Sequence, residues 1–479
     1  MDNINARLLA LGLKVPQILL PRRSIDLSAW AVIACDQFTQ DRPYWERVRQ
    51  MVGDKPSTLN LIYPEVYLEA GGEAAAANPA ADDREGRIAA IHRAMDSYLG
   101  GDVFAPPFTG CMYVERDSPY HRRRRGLVIA VDLDRYDWGL RARTPIRATE
   151  GTVPERLPPR MDIRRDAPLE SPHVLLLIDD KQDLLLPGLA GLLGSAEPAY
   201  RGNLMLNSGS VSGWPLDREE QWAFIAGCLE AASGPFLYAV GDGNHSLAAA
   251  KGIWEEYKAA HPGEPGLAGN PRRFALVEIE NLYDPAISFE PIHRIVFNTD
   301  VDALLKALAP LPGLALSPLE ETPVEGTPPK GRPPEKDLER LRRLVGDREA
   351  PGTRLGLISG SRLFLLETSA PGLATAALQP LLDRFTGAAA SPDSQTGRNT
   401  AGRRPSLDYI HGGDELIRLA HDSMAQTVDG TPAVGILLPP IRKEGLFETV
   451  ARSGPLPRKS FSLGESVEKR FYLECRRLR

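Results

Sequence analysis

A chain of 479 residues is too long for one ordinary domain, and about 150 residues per domain allows roughly three, or two large ones. With 42% hydrophobic and 25% charged residues it can bury a sizeable core, which excludes a disordered or coiled-coil chain, while 43 Gly and 42 Pro without a triplet period exclude collagen and call for many loops. Its 57 Lys and Arg against 63 acidic residues give a net charge of −6, so nucleic-acid binding by bulk electrostatics has no basic excess behind it.

The apolar stretch at 8–20 is broken by Lys14 and Pro16 and lacks a basic leader and a cleavage site; no run approaches the ~18 uncharged apolar residues of a membrane span. A strand is predicted at 30–34, and helices at 43–53 and 84–99, the latter with Ile88, Ile91, Met95 and Leu99 at core spacing. Strands at 111–115, 127–133 and 174–178 are expected to be central. The Ala/Gly/Pro-rich stretch 71–83 reads as a surface insertion, and the Pro- and Arg-rich stretch 144–168 as a long functional loop. His121 to Arg125 reads as a solvated hairpin tip, and His92 as a structural residue beside a core face.

A Pro/Glu/Thr-rich segment at 316–337 disfavours helix and ladder alike and predicts a linker. After it come a hairpin-like pair at 354–358 and 362–367, helices near 375–385 and 414–423, a strand at 433–438, and a constrained loop at 457–460 before a last helix. The expected organisation is a domain over 1–300, the linker, and a smaller α/β domain over 338–479 that contributes a closing loop. The fold class is α/β (α+β), a mixed sheet with flanking helices. Cys35, Cys111, Cys228 and Cys475 lie far apart, with no C-x-x-C pair, so neither zinc nor a disulfide framework is expected; isolated thiols fit a reducing cytoplasm.

The segment richest in chemistry is 234–257: a buried strand over 236–240, a polar turn over 242–246, then a helix with Leu247, Ala250 and Trp254 facing inward. The first N–H groups of such a helix have no internal partner and carry the positive end of its dipole, an anion site. Gly241 and Gly243 permit positive φ and close backbone approach, and Asn244 and Ser246 complete the turn. His245 has the chemistry of an acid, a base or a phosphoryl donor; Asp242 that of an orienting group, a base or a Mg²⁺ ligand. The same residue types are also ordinary caps and turn formers. Neither a Walker A loop nor a Rossmann G-x-G-x-x-G is present, and Gly209 to Gly213 lacks the register of a hydrolase elbow.

The run Val240-Gly-Asp-Gly-Asn-His-Ser-Leu-Ala-Ala-Ala-Lys251 resembles the signature of an uncharacterised prokaryotic family, domain of unknown function family 1015. Supporting matches are Cys35-Asp-Gln-Phe-Thr39 with Tyr44-Trp45, Arg147-Ala-Thr-Glu150, Glu290-Pro-Ile-His-Arg294, Asp408-Tyr-Ile-His411 and Pro457-Arg-Lys-Ser460. The D-G-x-H turn is similar to the helix-opening turn of the ParB/sulfiredoxin superfamily, which includes free-serine kinases. In those relatives Arg often follows the His and pairs with phosphate; here Ser246 stands in its place, and another cation must supply that charge.

Arg147, Arg294 and Lys459 are the candidates, with Thr149, His293 and Ser460 beside them as phosphate contacts, Glu150 as a base or metal ligand, and Asp36 at a strand's C-terminal end. Each has a structural alternative: an exposed ion pair for Arg147 and Glu150, a satisfied core histidine for His293, a surface lysine for Lys459, a turn for Asp36. The resemblance implies phosphotransfer on serine, phosphoserine or a similar hydroxylated metabolite, with ATP or ADP and Mg²⁺ brought by the nucleotide. The alternatives are a non-catalytic nucleotide or phosphometabolite sensor and a ParB-like DNA-associated factor, the last opposed by the acidic charge balance. The partner is expected to be a small phosphorylated metabolite or nucleotide, with no membrane.

Overall fold

A computed structural model describes residues 2–39, 41–68, 84–154, 157–232, 234–319, 333–347, 349–387, 404–426 and 433–479. They fall into two units. The first comprises 1–288, 443–455 and 463–479; the second comprises 289–442 and 456–462.

The first unit opens with helix α1 (Asp2–Ala10), strand β1 (Leu13–Lys14) and helices α2 (Arg42–Val52) and α3 (Arg84–Gly100). Asp41 caps α2, its Oδ1 accepting from Tyr44 N at 2.9 Å. Strands β2 (Cys111–Asp117), β3 (Arg124–Asp132), β4 (Tyr136–Asp137) and β5 (Ile146–Ala148) precede helix α4 (Leu157–Arg165). Then come β6 (Leu175–Ile178), α5 (Leu185–Leu193), β7 (Tyr200–Asn203), β8 (Ser210–Leu216), α6 (Glu219–Glu230), β9 (Tyr238–Asp242), α7 (Asn244–Ala260) and β10 (Phe274–Asn281). The sheet runs β7-β8-β2-β3-β10-β6-β9-β5-β4, with β1 also paired to β3. It is mixed: β6 is parallel to β10, and β5 to both β9 and β4, while β6 meets β9 antiparallel.

Period-two alternation sends Leu127, Ile129 and Val131 of β3 into one core, against Leu185 and Leu189 of α5, Trp222 and Ile225 of α6, and Leu247 and Trp254 of α7. Val128 and Leu276 point into the other, with Trp45, Ile91 and Met95. That second face also buries charge. Arg124 pairs with Glu280 at 2.9 Å, and Arg470 pairs with Glu278 and with Glu474 at 2.6 Å. A Cβ at Gly126 would fall 2.0 Å from Glu278 Oε1, so the strand needs glycine there.

The second unit contains β11 (Phe289–Phe297), α8 (Val301–Leu308), β12 (Ala315–Pro318), α9 (Glu335–Val345), β13 (Thr353–Ser359), β14 (Arg362–Thr368), α10 (Ala374–Thr386), β15 (Ser406–His411), α11 (Gly413–Gln426) and β16 (Val434–Leu437). Its strands order as β12-β14-β13-β16-β11-β15, and the pairings among them are antiparallel. Leu and Ile side chains fill cores on both faces.

The three strands expected to be central are interior, and the architecture is the α+β class that the sequence rhythm predicts. Several local expectations are corrected. At 30–34 only Val32 and Ile33 form a strand, because Asp26 caps a helical turn over Leu27–Trp30. The stretch 144–168 is not one loop: Ile146, Ala148 and Leu157 are apolar enough to bury, and β5 and α4 form inside it. The His121 to Arg125 tip is not solvated throughout, since Arg124 enters β3 and is buried against Glu280. After 457–460 there is no α-helix but one 3-10 turn over Ser466–Glu468 and extended chain, Phe471–Tyr472 pairing with Val32–Ile33, and Arg476–Arg477 with Leu169–Glu170. Of the segment at 316–337, Pro318 still belongs to β12 and Glu335 begins α9; 320–332 lie outside the described residues, as does the stretch 71–83.

Candidate functional site

Strand β9 ends at Asp242 and α7 begins at Asn244, leaving Gly243 alone to turn the chain. Gly243 has φ 78 and ψ 28, the left-handed region, and a Cβ there would meet Val174 Cγ2 at 3.0 Å. A Cβ on Gly241 would fall 2.6 Å from Leu463 Cδ1. Both glycines are therefore set by local sterics. Gly243 also brings no side chain to cap α7, whose opening N–H groups have no carbonyl within the helix to meet.

The first helical residue reinforces this. Asn244 is 8% exposed, and its Oδ1 is buried without a hydrogen-bond partner. An unmet acceptor in such a position costs about 1–3 kcal/mol, which a ligand donor or a water would recover. Asp242 is held on both oxygens: Oδ1 accepts from Gly243 N at 2.9 Å and Oδ2 stands 3.1 Å from Lys469 Nζ, a lysine 5% exposed. His245 Nε2 accepts from Val153 N at 3.2 Å, so the neutral ring carries its proton on Nδ1.

Strand β5 brings a second segment to the same end of the sheet. It runs parallel to β9 with Ala148 opposite Val240, and Thr149 Oγ1 donates to Val240 O at 2.5 Å. The strand ends at Ala148, and Glu150 follows two residues beyond it. The Asp242 carboxylate, a buried ammonium, an imidazole and a helix N-terminus thus stand at the C-terminal end of a strand parallel to its neighbour, the usual ligand position in α/β sheets. Nearby, burial drives Glu280 above the usual carboxylate range.

Ser246 has its Oγ 3.0 Å from His173 Nε2. His173 Nδ1 is 2.8 Å from Tyr472 OH, and that hydroxyl accepts from Cys35 N at 3.3 Å. Asp36 Oδ2 lies 3.8 Å from His173 Nε2, which places Asp36 beside the same helix turn. Burial pushes both the Cys35 thiol and the Tyr472 phenol up, keeping them protonated.

The remaining sequence candidates have the following partners. Arg147 is buried in β5, donating from Nε to Thr144 O at 2.9 Å and stacking over Phe236 at 4.5 Å. His293, Arg294, Lys459 and Ser460 belong to the second unit. There His293 Nδ1 accepts from Leu438 N at 3.1 Å, Arg294 Nε donates to Gln379 at 3.0 Å with its guanidinium 4.6 Å from the Tyr409 ring centre, and Ser460 Oγ donates to Pro457 O at 2.6 Å. Lys459 is exposed, with φ 57. Sequence reasoning missed His173, Lys469 and Tyr472. The signal available for the last two was a basic pair, Lys469-Arg470, set directly before the apolar run Phe471-Tyr472-Leu473, since charges next to a buried strand must find partners.

The family model described as Protein of unknown function (DUF1015) matches residues 19–376. No curated protein matches the chain. Among solved structures, a conserved hypothetical protein from Pyrococcus furiosus is similar at 12% identity and a TM-score of 0.35, over 73% of this chain and 95% of that one. A free serine kinase in complex with AMP is similar at 12% identity and 0.35, over 72% and 90%. SbnI with a C-terminal truncation, from Staphylococcus aureus, is similar at 11% and 0.33, over 70% and 82%. Likeness at this level carries no chemistry, so the site is read from its own atoms.

Proposed function

We propose that this chain, which belongs to the DUF1015 family, is a small-molecule phosphotransferase that holds the phosphates of a nucleotide at the turn from Gly241 to Ser246 and acts on a small hydroxylated metabolite, serine or phosphoserine being the first to test. The observation that carries this reading is the entry to α7: a left-handed Gly243 that supplies no cap, at the C-terminal end of a strand paired in parallel with its neighbour. Backbone N–H groups and the helix dipole at such an entry favour an anion. Phosphoryl transfer is mainly positioning and charge stabilisation, work suited to fixed dipoles and side chains.

In this reading the opening N–H groups of α7 bind phosphate oxygens, His245 donates from Nδ1, and Lys469 offsets the charge of Asp242. Asp242 and Glu150 are the carboxylates that would hold a Mg²⁺ arriving with ATP or ADP, and the ion would supply positive charge against the phosphates. Among the described residues no group of three or more His, Cys, Asp or Glu side chains forms a metal site of its own. Kinship with the ParB/sulfiredoxin superfamily belongs to the same proposal and rests on the D-G-x-H turn.

A second reading, a non-catalytic nucleotide or phosphometabolite sensor, is favoured by one observation: both oxygens of Asp242 are already engaged, which lowers its value as a base. Incubation of the purified chain with ATP, ADP and serine, or with phosphoserine, followed by phosphorus NMR, separates the two. Turnover supports the transferase; nucleotide binding by calorimetry without product supports the sensor. Neither reading survives if nothing turns over and His245→Ala matches the wild type in nucleotide affinity.

A further inference from the structure

Beside the first turn of α7 the first unit lines a partly open cavity of about 150 Å³. One part of its wall is apolar, formed by Leu61, Met95, Ile163, Leu247 and Ala250. Another is polar, formed by Ser246 Oγ and His173 Nε2 at 3.0 Å, with Tyr472 behind His173. Two guanidinium groups also border the space, but each meets a carboxylate, Arg160 with Glu65 and Arg164 with Glu170 at 2.5 Å. The wall therefore offers balanced charge, and an ionic ligand would lose its hydration with no spare counter-ion to replace it.

The polar part selects further. His173 carries its proton on Nδ1 or Nε2, so Nε2 accepts or donates, and Ser246 answers in the opposite sense. An alcohol both donates and accepts and fits either arrangement; a hydrocarbon fits neither. We infer that this cavity binds a neutral alcohol with a compact hydrocarbon body of about six to eight non-hydrogen atoms, benzene-sized guests being what a cavity of this volume takes, its hydroxyl docked on Ser246 and His173. The role of that alcohol as the hydroxylated partner of the proposed transfer rests on the phosphate-turn reading; its binding does not.

Benzyl alcohol, toluene and L-serine, titrated into the full chain by ligand-observed NMR, test the inference. Benzyl alcohol is expected to bind about fivefold or more tightly than toluene, the worth of one net hydrogen bond, with L-serine weaker than both. Ser246→Ala brings benzyl alcohol and toluene close to equality. Ala249→Leu, which fills the cavity from α7, weakens benzyl alcohol by about tenfold or more while ADP affinity stays within about twofold. In the wild-type chain labelled at methionine methyls, benzyl alcohol shifts the Met95 resonance, a readout that does not depend on any variant folding. Benzyl alcohol that leaves Met95 unmoved, or that binds Ala249→Leu as well as wild type, overturns the inference. Loss of ADP binding by the wild type with the Met95 shift retained would sink the phosphate-turn reading and leave the cavity standing.

Discussion

The first unit buries Arg116, Arg124, Glu278, Glu280, Lys469, Arg470 and Glu474 on one face of its sheet, while the second packs Leu, Ile and Val around His293 and Arg294. The helix entries differ in the same sense. Helix α8 of the second unit is capped by Asp300, whose Oδ1 accepts from Ala303 N at 2.8 Å, whereas α7 of the first starts from a glycine with no cap. A capped entry in an apolar unit is finished by folding. An uncapped entry beside buried charge, some of it delivered by the C-terminal segment, has binding capacity left over.

The largest test of that contrast is Arg470→Met. It leaves Glu278 and Glu474 without their buried partner, and the first unit is expected to lose about 3–5 kcal/mol. All six tryptophans lie in that unit, so tryptophan fluorescence during denaturant unfolding reads the loss there directly. An unchanged midpoint would show that the charged interior is not what holds the C-terminal segment.

The second unit's counterpart is acid. Burial, then the Arg294 charge, lowers His293 from 6.5 to about 4. The unfolded chain therefore takes up a proton below its ordinary value that the folded unit refuses, and stability present above pH 6.5 is lost as pH falls towards 4, about 3 kcal/mol in all. Hydrogen exchange of peptides covering β13 and β14 should accelerate over that window. In His293→Gln this component of the acceleration should disappear.

Gly243→Ala comes next. A Cβ at φ 78 that also meets Val174 costs about 1–3 kcal/mol, and the distorted α7 entry should weaken ADP about tenfold or more by calorimetry. The smallest effect is Asp300→Ala, which removes a cap worth about 1 kcal/mol, visible as faster exchange in α8 with ADP affinity unchanged. If Asp300→Ala weakened ADP as much as Gly243→Ala, the contrast between the two helix entries would fail.

Much of this was legible in the sequence because it is local. The period of Ile88, Ile91 and Met95 marked α3, continuous apolar runs marked β3 and β6, and the glycines around Asp242 marked the turn. The stretch 144–168 misled because its Pro and Arg content outweighed a three-residue strand that forms only by pairing with β9 and β4. Arg124 misled because a run of basic residues reads as solvated until Glu280, far along the chain, is brought against it.

By itself, then, the sequence determined the turn: Gly243 folds there because only a residue without Cβ accepts that φ next to Val174, and Asn244 opens a helix because apolar residues recur at its period. Which groups attend that turn was decided by tertiary structure alone. His173 and Tyr472 beside Ser246, and Lys469 on Asp242, come from segments separated by up to about 300 residues, and no local preference encodes a hydrogen bond across such a distance; it exists because the sheet's register and the docking of the C-terminal segment bury those polar groups together, and burial obliges them to pair.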